Sequence, residues 1–167
     1  MRISIAEIIK GFRETLPAFP DGRIDYSTSN SAPVVLIFVK VGDEFLILRR
    51  SQKVSNYQGQ WSGSAGFLDN EGLIQEKVFE ELIAEIGIPE EQLQGLIAEI
   101  KIREHYEFVD KKSGKTWIKV PVLVELRKKP TIKLDWEHDD HRWIRIGELP
   151  DFETVIDLET ALQHALG

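Results

Sequence analysis

One strongly periodic segment in the middle of the chain narrows the choice of folds. Between Leu73 and Ile86 apolar residues recur every three or four positions, which is the spacing of a helix with one buried face. Gly87 and Pro89 follow and are typical helix terminators. A helix with one apolar stripe needs a surface to cover. The stripe consists of Ile74, Val78, Leu82 and Ile86, with Phe79 and Ile83 beside them.

That surface is predicted to be a sheet, because short apolar runs separated by turn residues flank the helix on both sides. Further helices are predicted near both ends, over residues 3–16 and 155–166. Strands that surround one central helix favour a mixed sheet covered by helices. The predicted strands are 34–39 and 45–48, joined by a turn at Gly42-Asp43, then 64–67, a loosely alternating stretch over 97–108, 116–120, 122–126 and 143–146.

Three details of this pattern are less regular. Residues 51–70 are rich in Ser, Gln, Asn and Gly, and they are predicted to be mainly loop. Pro121 separates two predicted hairpin strands and indicates a sheet edge or a bulge. The charged segment 135–141 is predicted to be a loop.

Composition limits the kinds of partner. The 167 residues suit one domain, 1–167, with no linker or repeat. The net charge of −7 argues against nucleic acid or an anionic membrane as the main partner. No cysteine is present, so a metal would be held by oxygen or histidine. The N-terminus does not resemble a signal peptide, and the longest apolar run, 34–39, is far below the roughly 20 residues of a membrane helix. We expect a cytoplasmic protein.

The polar face of the central helix carries the candidate chemistry. Glu81 and Glu85 lie four residues apart, and like charges at that spacing repel each other. A hard cation such as Mg²⁺ would turn this repulsion into ligation. The alternative is a solvated acidic face that Lys77 compensates in part. The other acidic residues of this face are Glu76 and Glu80.

The residues around this helix resemble the Nudix box. That box reads glycine, five residues, glutamate, seven residues, then Arg-Glu-hydrophobic-any-Glu-Glu-any-Gly-hydrophobic. Three positions of this chain depart from it: Gly72 stands at the first glutamate with Glu71 one residue early, Glu80 replaces the arginine, and Ala84 replaces a late glutamate. The positions that match in register are Gly66, Glu81, Leu82, Glu85, Gly87 and Ile88.

The resemblance extends beyond the box, over roughly residues 33–166, with residues 1–20 as an N-terminal helical segment. A strand that ends in Arg49-Arg50, a Gly59-Gln60-Trp61 loop and an acidic segment before Trp143 are similar to features of many Nudix domains. The fold that this resemblance implies is a Nudix-type α/β/α sandwich with a mixed sheet.

The resemblance also implies an activity. Nudix enzymes hydrolyse a nucleoside diphosphate linked to another group, with Mg²⁺ or Mn²⁺ as cofactor. The family's metal-binding glutamates map onto Glu81 and Glu85, and a backbone carbonyl ligand is expected at Ala65 or Gly66. The acid that orients water is expected at Glu137 or Asp140; the alternative is that both are ordinary solvent-facing acids.

Substrate contacts are expected at the strand end and in the long loop. Arg49 and Arg50 suit phosphate, because a guanidinium group binds it with two hydrogen bonds. Strand alternation turns only one of the two toward the site. Trp61 is the aromatic candidate, although aromatic side chains belong to the core more often than to a binding surface.

Two functions remain open from the sequence. The first is a pyrophosphohydrolase acting on a small nucleoside-diphosphate-like molecule, which the pair Glu81 and Glu85 favours. The second is a Nudix fold that binds a ligand or partner without catalysis, which the three departures from the box favour. The apolar stripe of the N-terminal helix can pack on its own domain or on a second subunit, so a homodimer is also open.

Overall fold

A computed structural model describes residues 4–167. Residues 1–3, of which residue 3 belongs to the first predicted helix, lie outside the described part. The helices are α1 (Ala6–Thr15), α2 (Ile74–Ile86), α3 (Glu90–Leu96), a 3-10 helix (Ile146–Asp151) and α4 (Leu158–Leu166). The strands are β1 (Ser31–Val41), β2 (Glu44–Arg50), β3 (Trp61–Ser62), β4 (Ser64–Phe67), β5 (Ile97–Ile102), β6 (Tyr106–Asp110), β7 (Lys115–Leu126) and β8 (His138–Arg145).

Within residues 4–167 these strands form one mixed sheet. The two long strands β1 and β7 pair in parallel in its centre, from Ser31 opposite Thr116 to Lys40 opposite Glu125. The other pairings are antiparallel: β1 with β2 and β4, β2 with β3 and β8, and β7 with β5 and β6. The parallel centre with antiparallel flanks confirms the predicted mixed sheet.

Helices cover both faces of the sheet, so the α/β/α sandwich is confirmed. Helices α1, α2 and α3 bury Ile9, Leu82 and Leu93 in the core on one face. Helix α4 buries Leu158 and Leu162 in a second core on the other face. Because successive strand residues point to opposite faces, Leu46 and Leu48 of β2 belong to the first core and Phe45 and Ile47 to the second.

Several boundaries differ from the sequence prediction. Pro121 lies inside the central strand β7 and not at a sheet edge. Its missing N–H is tolerated because the neighbouring chain is interrupted there, between the end of β5 at Ile102 and the start of β6 at Tyr106. Pro121 still takes part in the sheet through its carbonyl, which accepts a hydrogen bond from the Arg103 N–H at 2.9 Å.

The charged segment 135–141 was predicted to be a loop, and this is wrong from His138 onward. Its second half belongs to β8, which pairs with β2 from Arg50 opposite His138 to Glu44 opposite Arg145, with an irregularity at Arg49. This strand accommodates polar residues because it lies at the edge of the sheet, where among the described strands it pairs only with β2. The predicted loop 51–70 likewise contains β3 as well as the expected β4.

No helix in the described part of the chain is long and apolar enough to cross a bilayer.

Candidate functional site

Helix α2 and strand β4 place Glu85 in the interior of the protein. Glu85 lies on the flank of the apolar stripe, and only 3% of its surface is exposed. Its carboxylate accepts hydrogen bonds from the Ser64 hydroxyl and from the Ala65 N–H, the latter at 3.2 Å. A carboxylate this deeply buried is costly unless its charge is compensated. Two hydrogen bonds from neutral donors compensate it only in part.

Glu81 lies one helical turn before Glu85 and has two close neighbours. Its Oε1 atom is 3.0 Å from Lys77 Nζ. The same carboxylate lies against Gly66, where any side chain would collide with it. The glycine that begins the Nudix-like pattern is therefore required by close approach of α2 and β4 rather than by a turn.

Glu137 completes a group of three carboxylates. It lies just before β8, close enough to Glu85 for the two carboxyls to influence each other's pKa. Burial is the main reason that the pKa of Glu85 lies well above its ordinary value, and Glu81, Glu137 and Asp135 raise it further. Burial also raises the pKa of Glu137, and Asp135 adds to this shift. Glu81 has a raised pKa for the same first reason, although Lys77 opposes the shift. The three acids therefore share an environment that disfavours their charges.

The two arginines at the end of β2 point to opposite faces, as alternation requires. Arg50 lies on the face of α2, where Glu137 and Glu85 are among its charged neighbours and burial lowers its pKa. Its guanidinium donates hydrogen bonds to the Asn56 carbonyl at 3.0 Å and to Asn56 Oδ1 at 2.7 Å. Arg50 is thus fixed beside the carboxylates.

Arg49, Trp61 and Asp140 lie together on the face of α4. Arg49 Nε donates to Asp139 Oδ1 at 2.6 Å, and its guanidinium lies 5.8 Å from the centre of the Trp61 ring. Trp61 is buried and packs edge-on against Phe152. Asp140 lies 3.5 Å from Arg142, whose guanidinium also covers Trp61. The structure therefore brings Glu81, Glu85, Glu137, Ala65, Gly66 and Arg50 together and places Arg49, Trp61 and Asp140 elsewhere.

The departure from the box at Gly72 has a structural reason. Gly72 has φ +133°, a conformation that a glutamate adopts only with strain, and its carbonyl accepts a hydrogen bond from the Ile5 N–H at 2.9 Å. Glu71 does not replace the missing acid, because it pairs with Arg13 of α1 at 2.8 Å. Glu76 caps α2 by accepting from the Leu73 N–H. Ala84 is exposed.

Sequence reasoning missed three groups of this site. Ser64 and the Ala65 N–H bind Glu85, and Asp135 adds negative charge beside it. Ser64 could have been found, because it lies two residues before Gly66 in a predicted strand and so on the same face. Asp135 gave no such signal, since it lies in an irregular segment.

The donors of this cluster suit a hard cation by chemistry, since all are oxygen atoms and three are carboxylates. In residues 4–167, however, no three acidic or histidine side chains are already arranged as a set of metal ligands. Lys77 and Ser64 instead contact the oxygens of Glu81 and Glu85. The cluster therefore fits a divalent cation in its charge and in the type of its donor atoms, and the donors are not yet arranged around a common point.

A cavity of about 410 Å³ opens beyond Arg50. Asn56 and Tyr57 form one wall, and the Tyr57 hydroxyl donates to Asp110 Oδ2 at 2.5 Å. Phe67 and Trp117 form the aromatic part, with ring centres 6.1 Å apart, and Phe67 is 42% exposed. Lys115 Nζ lies 5.0 Å from the centre of the Trp117 ring.

Comparison with known proteins identifies the class. A family model described as the NUDIX domain matches residues 30–164, so the chain belongs to the Nudix family. This confirms the resemblance found in the sequence. A search of curated protein sequences finds no significant match.

Solved structures share the fold at low identity. A bifunctional NMN adenylyltransferase/ADP ribose pyrophosphatase from Francisella tularensis, complexed with AMP and a Mn ion, is 22% identical with a TM-score of 0.63. That match covers 81% of this chain and 41% of the longer Francisella chain. A NUDIX hydrolase from Nitrosomonas europaea is 14% identical with a TM-score of 0.62, covering 80% of this chain and 87% of that one. A C. elegans Ap4A hydrolase is 21% identical with a TM-score of 0.56, covering 80% and 93%.

Proposed function

We propose that this protein is a divalent-cation-dependent pyrophosphohydrolase that acts on a small nucleoside-diphosphate-like molecule. The observation that carries the proposal is the convergence of the buried Glu85 with the half-buried Glu81 and Glu137, three carboxyls whose pKa values are all raised. Groups with strongly shifted pKa values that face one another are concentrated at functional sites. Two members of this cluster, Glu81 and Glu85, lie on the helix of the Nudix motif, and Glu137 approaches them from the segment before β8.

Each residue of the cluster has a distinct proposed task. Glu81 and Glu85 would hold Mg²⁺ or Mn²⁺, together with a backbone carbonyl of Ala65 or Gly66. When bound, the cation supplies positive charge that neutralises the diphosphate and favours attack by water. Glu137 would orient the attacking water and accept its proton, because a carboxyl whose pKa is raised is a better base than an ordinary one.

Arg50 is the proposed phosphate contact. It lies on the carboxylate face, and its position is fixed by the two hydrogen bonds to Asn56. A guanidinium group held in place loses less conformational freedom when it binds a phosphate. Arg49 and Trp61, on the other face, have the arrangement of an ordinary ion pair and a core aromatic. Of the three substrate-binding residues expected from the sequence, Arg49, Arg50 and Trp61, we therefore retain Arg50.

The cavity beside Arg50 supports a nucleoside-like group on the diphosphate. Phe67 and Trp117 offer aromatic surfaces for a planar ring, and Lys115 adds positive charge in a chain whose net charge is −7. Arg50 and Asn56 connect this cavity to the carboxylates. Two structural neighbours, one complexed with AMP and a Mn ion and the other an Ap4A hydrolase, support such a substrate.

The test is hydrolysis of a panel of nucleoside diphosphate derivatives by the full chain, with Mg²⁺ or Mn²⁺ and with a chelator. We expect metal-dependent release of a nucleoside monophosphate from at least one compound. Glu85→Gln should abolish this release. Glu91→Gln, an exposed glutamate of α3, is the matched control and should retain it.

A non-catalytic binding protein is the second candidate. Contact of Lys77 with Glu81, together with Gly72 and Ala84 in the box, favours it, because these features reduce the number of free carboxylates. In that case nucleotides would bind in the cavity and would not be hydrolysed with any divalent metal ion. Binding measured by calorimetry, with no product by chromatography, would support this candidate over the hydrolase.

A further inference from the structure

The positive charge missing from the Nudix-like motif reappears one turn earlier on the same helix. The motif has arginine where this chain has Glu80, and the side chain of Glu80 is 67% exposed. Lys77 lies three residues before it. Its Nζ atom is 3.0 Å from Glu81 Oε1, 3.6 Å from Glu80 Oε1 and 3.9 Å from Asp69 Oδ1. Lys77 therefore brings one cation to three acids.

Lys77 is not an ordinary surface lysine. Its side chain is only 12% exposed, and an ammonium group in such a position requires charged partners. Carboxylate oxygens of Glu81, Glu80 and Asp69 all lie within 3.9 Å of its Nζ atom, so the charge of the lysine is balanced locally.

The contact limits the movement of Glu81. Gly66 leaves no room for a side chain beside the Glu81 carboxylate, and Lys77 contacts the same oxygen atom, Oε1. Without Lys77, Glu81 would face Glu80 and Asp69 with no cation between them. Repulsion and the loss of the hydrogen bond would then allow the Glu81 side chain to rotate away from Glu85.

We propose that Lys77 is a positioning residue that replaces the arginine of the Nudix motif and holds Glu81 in the orientation in which it binds the divalent cation. This inference rests on the proposed function, because it requires a cation at Glu81. It differs from a purely competitive role, in which Lys77 would simply occupy the place of the metal. The two roles predict opposite effects when the lysine is removed.

The experiment measures Mn²⁺ binding to the metal-free full chain, by titration with detection of free Mn²⁺ by electron paramagnetic resonance. Lys77→Met removes the charge and keeps most of the side-chain length. We expect it to raise the Mn²⁺ dissociation constant about tenfold, as loss of a group that orients a metal ligand does. Lys77→Arg should retain most of the affinity.

A double variant provides the sharpest control. Lys77→Met combined with Glu80→Arg places the cation where the family motif has it and should recover part of the lost affinity. Lys40→Met removes a half-buried lysine from its ion pair with Glu125 in the sheet and should leave Mn²⁺ binding unchanged. Thermal unfolding of each metal-free variant separates loss of fold from loss of binding.

Tighter Mn²⁺ binding by Lys77→Met would overturn the inference in favour of competition. Unchanged binding by folded Lys77→Met would overturn it in favour of a structural role. If the wild-type chain binds no Mn²⁺ at all, the proposed function fails and takes this inference with it. That result is distinct from the other two, because it appears before any variant is made.

Discussion

Two groups of buried charge lie on opposite faces of the same sheet, and their composition differs. On the face of α4, Asp157 accepts from Lys119 Nζ at 3.0 Å and from the Tyr106 hydroxyl at 2.7 Å. The side chains of Asp157 and Lys119 are 7% and 10% exposed, and each has an opposite charge as partner. On the face of α2, three carboxylates share one region.

The comparison separates a structural group from a functional one. The Asp157 group joins α4 to β6 and β7, and its charges cancel within the protein. The carboxylate cluster has less positive charge than negative charge: Lys77 contacts Glu81, Arg50 is the cation near Glu85 and Glu137, and Asp135 adds a further acid beside them. Keeping several carboxylates close together lowers the stability of the folded protein, and a bound cation would offset this loss of stability. Four predictions test this distinction.

The first prediction concerns the proposed base. Glu137→Gln should lower kcat by about 100-fold, the lower end of what general base catalysis contributes, because the amide cannot accept the proton. Asp140→Asn should leave kcat unchanged, since Asp140 lies with Arg142 on the other face. Steady-state kinetics of the two variants decides between these acids. Equal losses in both would show that the two faces cannot be separated in this way.

The second prediction concerns the paired group. Asp157→Asn should destabilise the fold by about 3 kcal/mol, because it leaves the buried Lys119 charge without a partner. Asparagine tolerates the φ of +70° at this position, so the change acts mainly on charge. Denaturant unfolding gives the free energy, and kcat measured on the folded protein should not change. Lost activity with intact stability would contradict the structural role of Asp157.

The third prediction concerns the glycine between α2 and β4. In Gly66→Ala the new Cβ would collide with the end of the Glu81 side chain, which is flexible enough to move aside. Stability should therefore fall little, while affinity for Mg²⁺ falls by about tenfold because a ligand is displaced. Gly147→Ala, where a Cβ meets no atom within 4 Å, is the matched control. Calorimetric titration with Mg²⁺ measures both.

Much of this arrangement could be predicted from the sequence because it depends on local periodicity. The apolar stripe of α2 predicted which residues face the core. The spacing of four residues predicted that Glu81 and Glu85 lie beside each other, one helical turn apart. The alternation of β2 predicted that only one arginine faces the site, although not which one. That choice depends on the face that α2 covers, which is a tertiary property.

The remaining parts depend on contacts between distant segments. Glu71 is one residue from the motif position, yet it pairs with Arg13 of α1, which only the docking of that helix explains. Glu137 and Asp140 are both acids of the same short segment, so the sequence alone does not tell them apart. They lie on different faces of the sheet because the pairing of β8 with β2 is irregular at this point. Lys77 was interpreted only as partial compensation for an acidic face. Its burial against Asp69 and Glu81 follows from the packing of β4 on α2.

The smallest predicted effect is a dependence of stability on pH. Burial and the neighbouring carboxylates raise the pKa of Glu85 above the ordinary value of 4.5, so the folded chain holds this proton more tightly than the unfolded chain. Stability of the metal-free protein should therefore decline as pH rises from about 4.5 toward the higher pKa of the folded state. Glu85→Gln should flatten this decline. An unchanged slope in that variant would assign the effect to another group.

The central claim is that the carboxylate cluster on α2 is a cation site. A crystal structure of the full chain soaked in Mn²⁺, with anomalous scattering recorded for manganese, tests it most directly. We predict an anomalous peak among Glu81, Glu85 and Glu137, with Lys77 still in contact with Glu81. A structure in which manganese appears only elsewhere, while Glu85 remains bound to Ser64 and the Ala65 N–H, would contradict the claim.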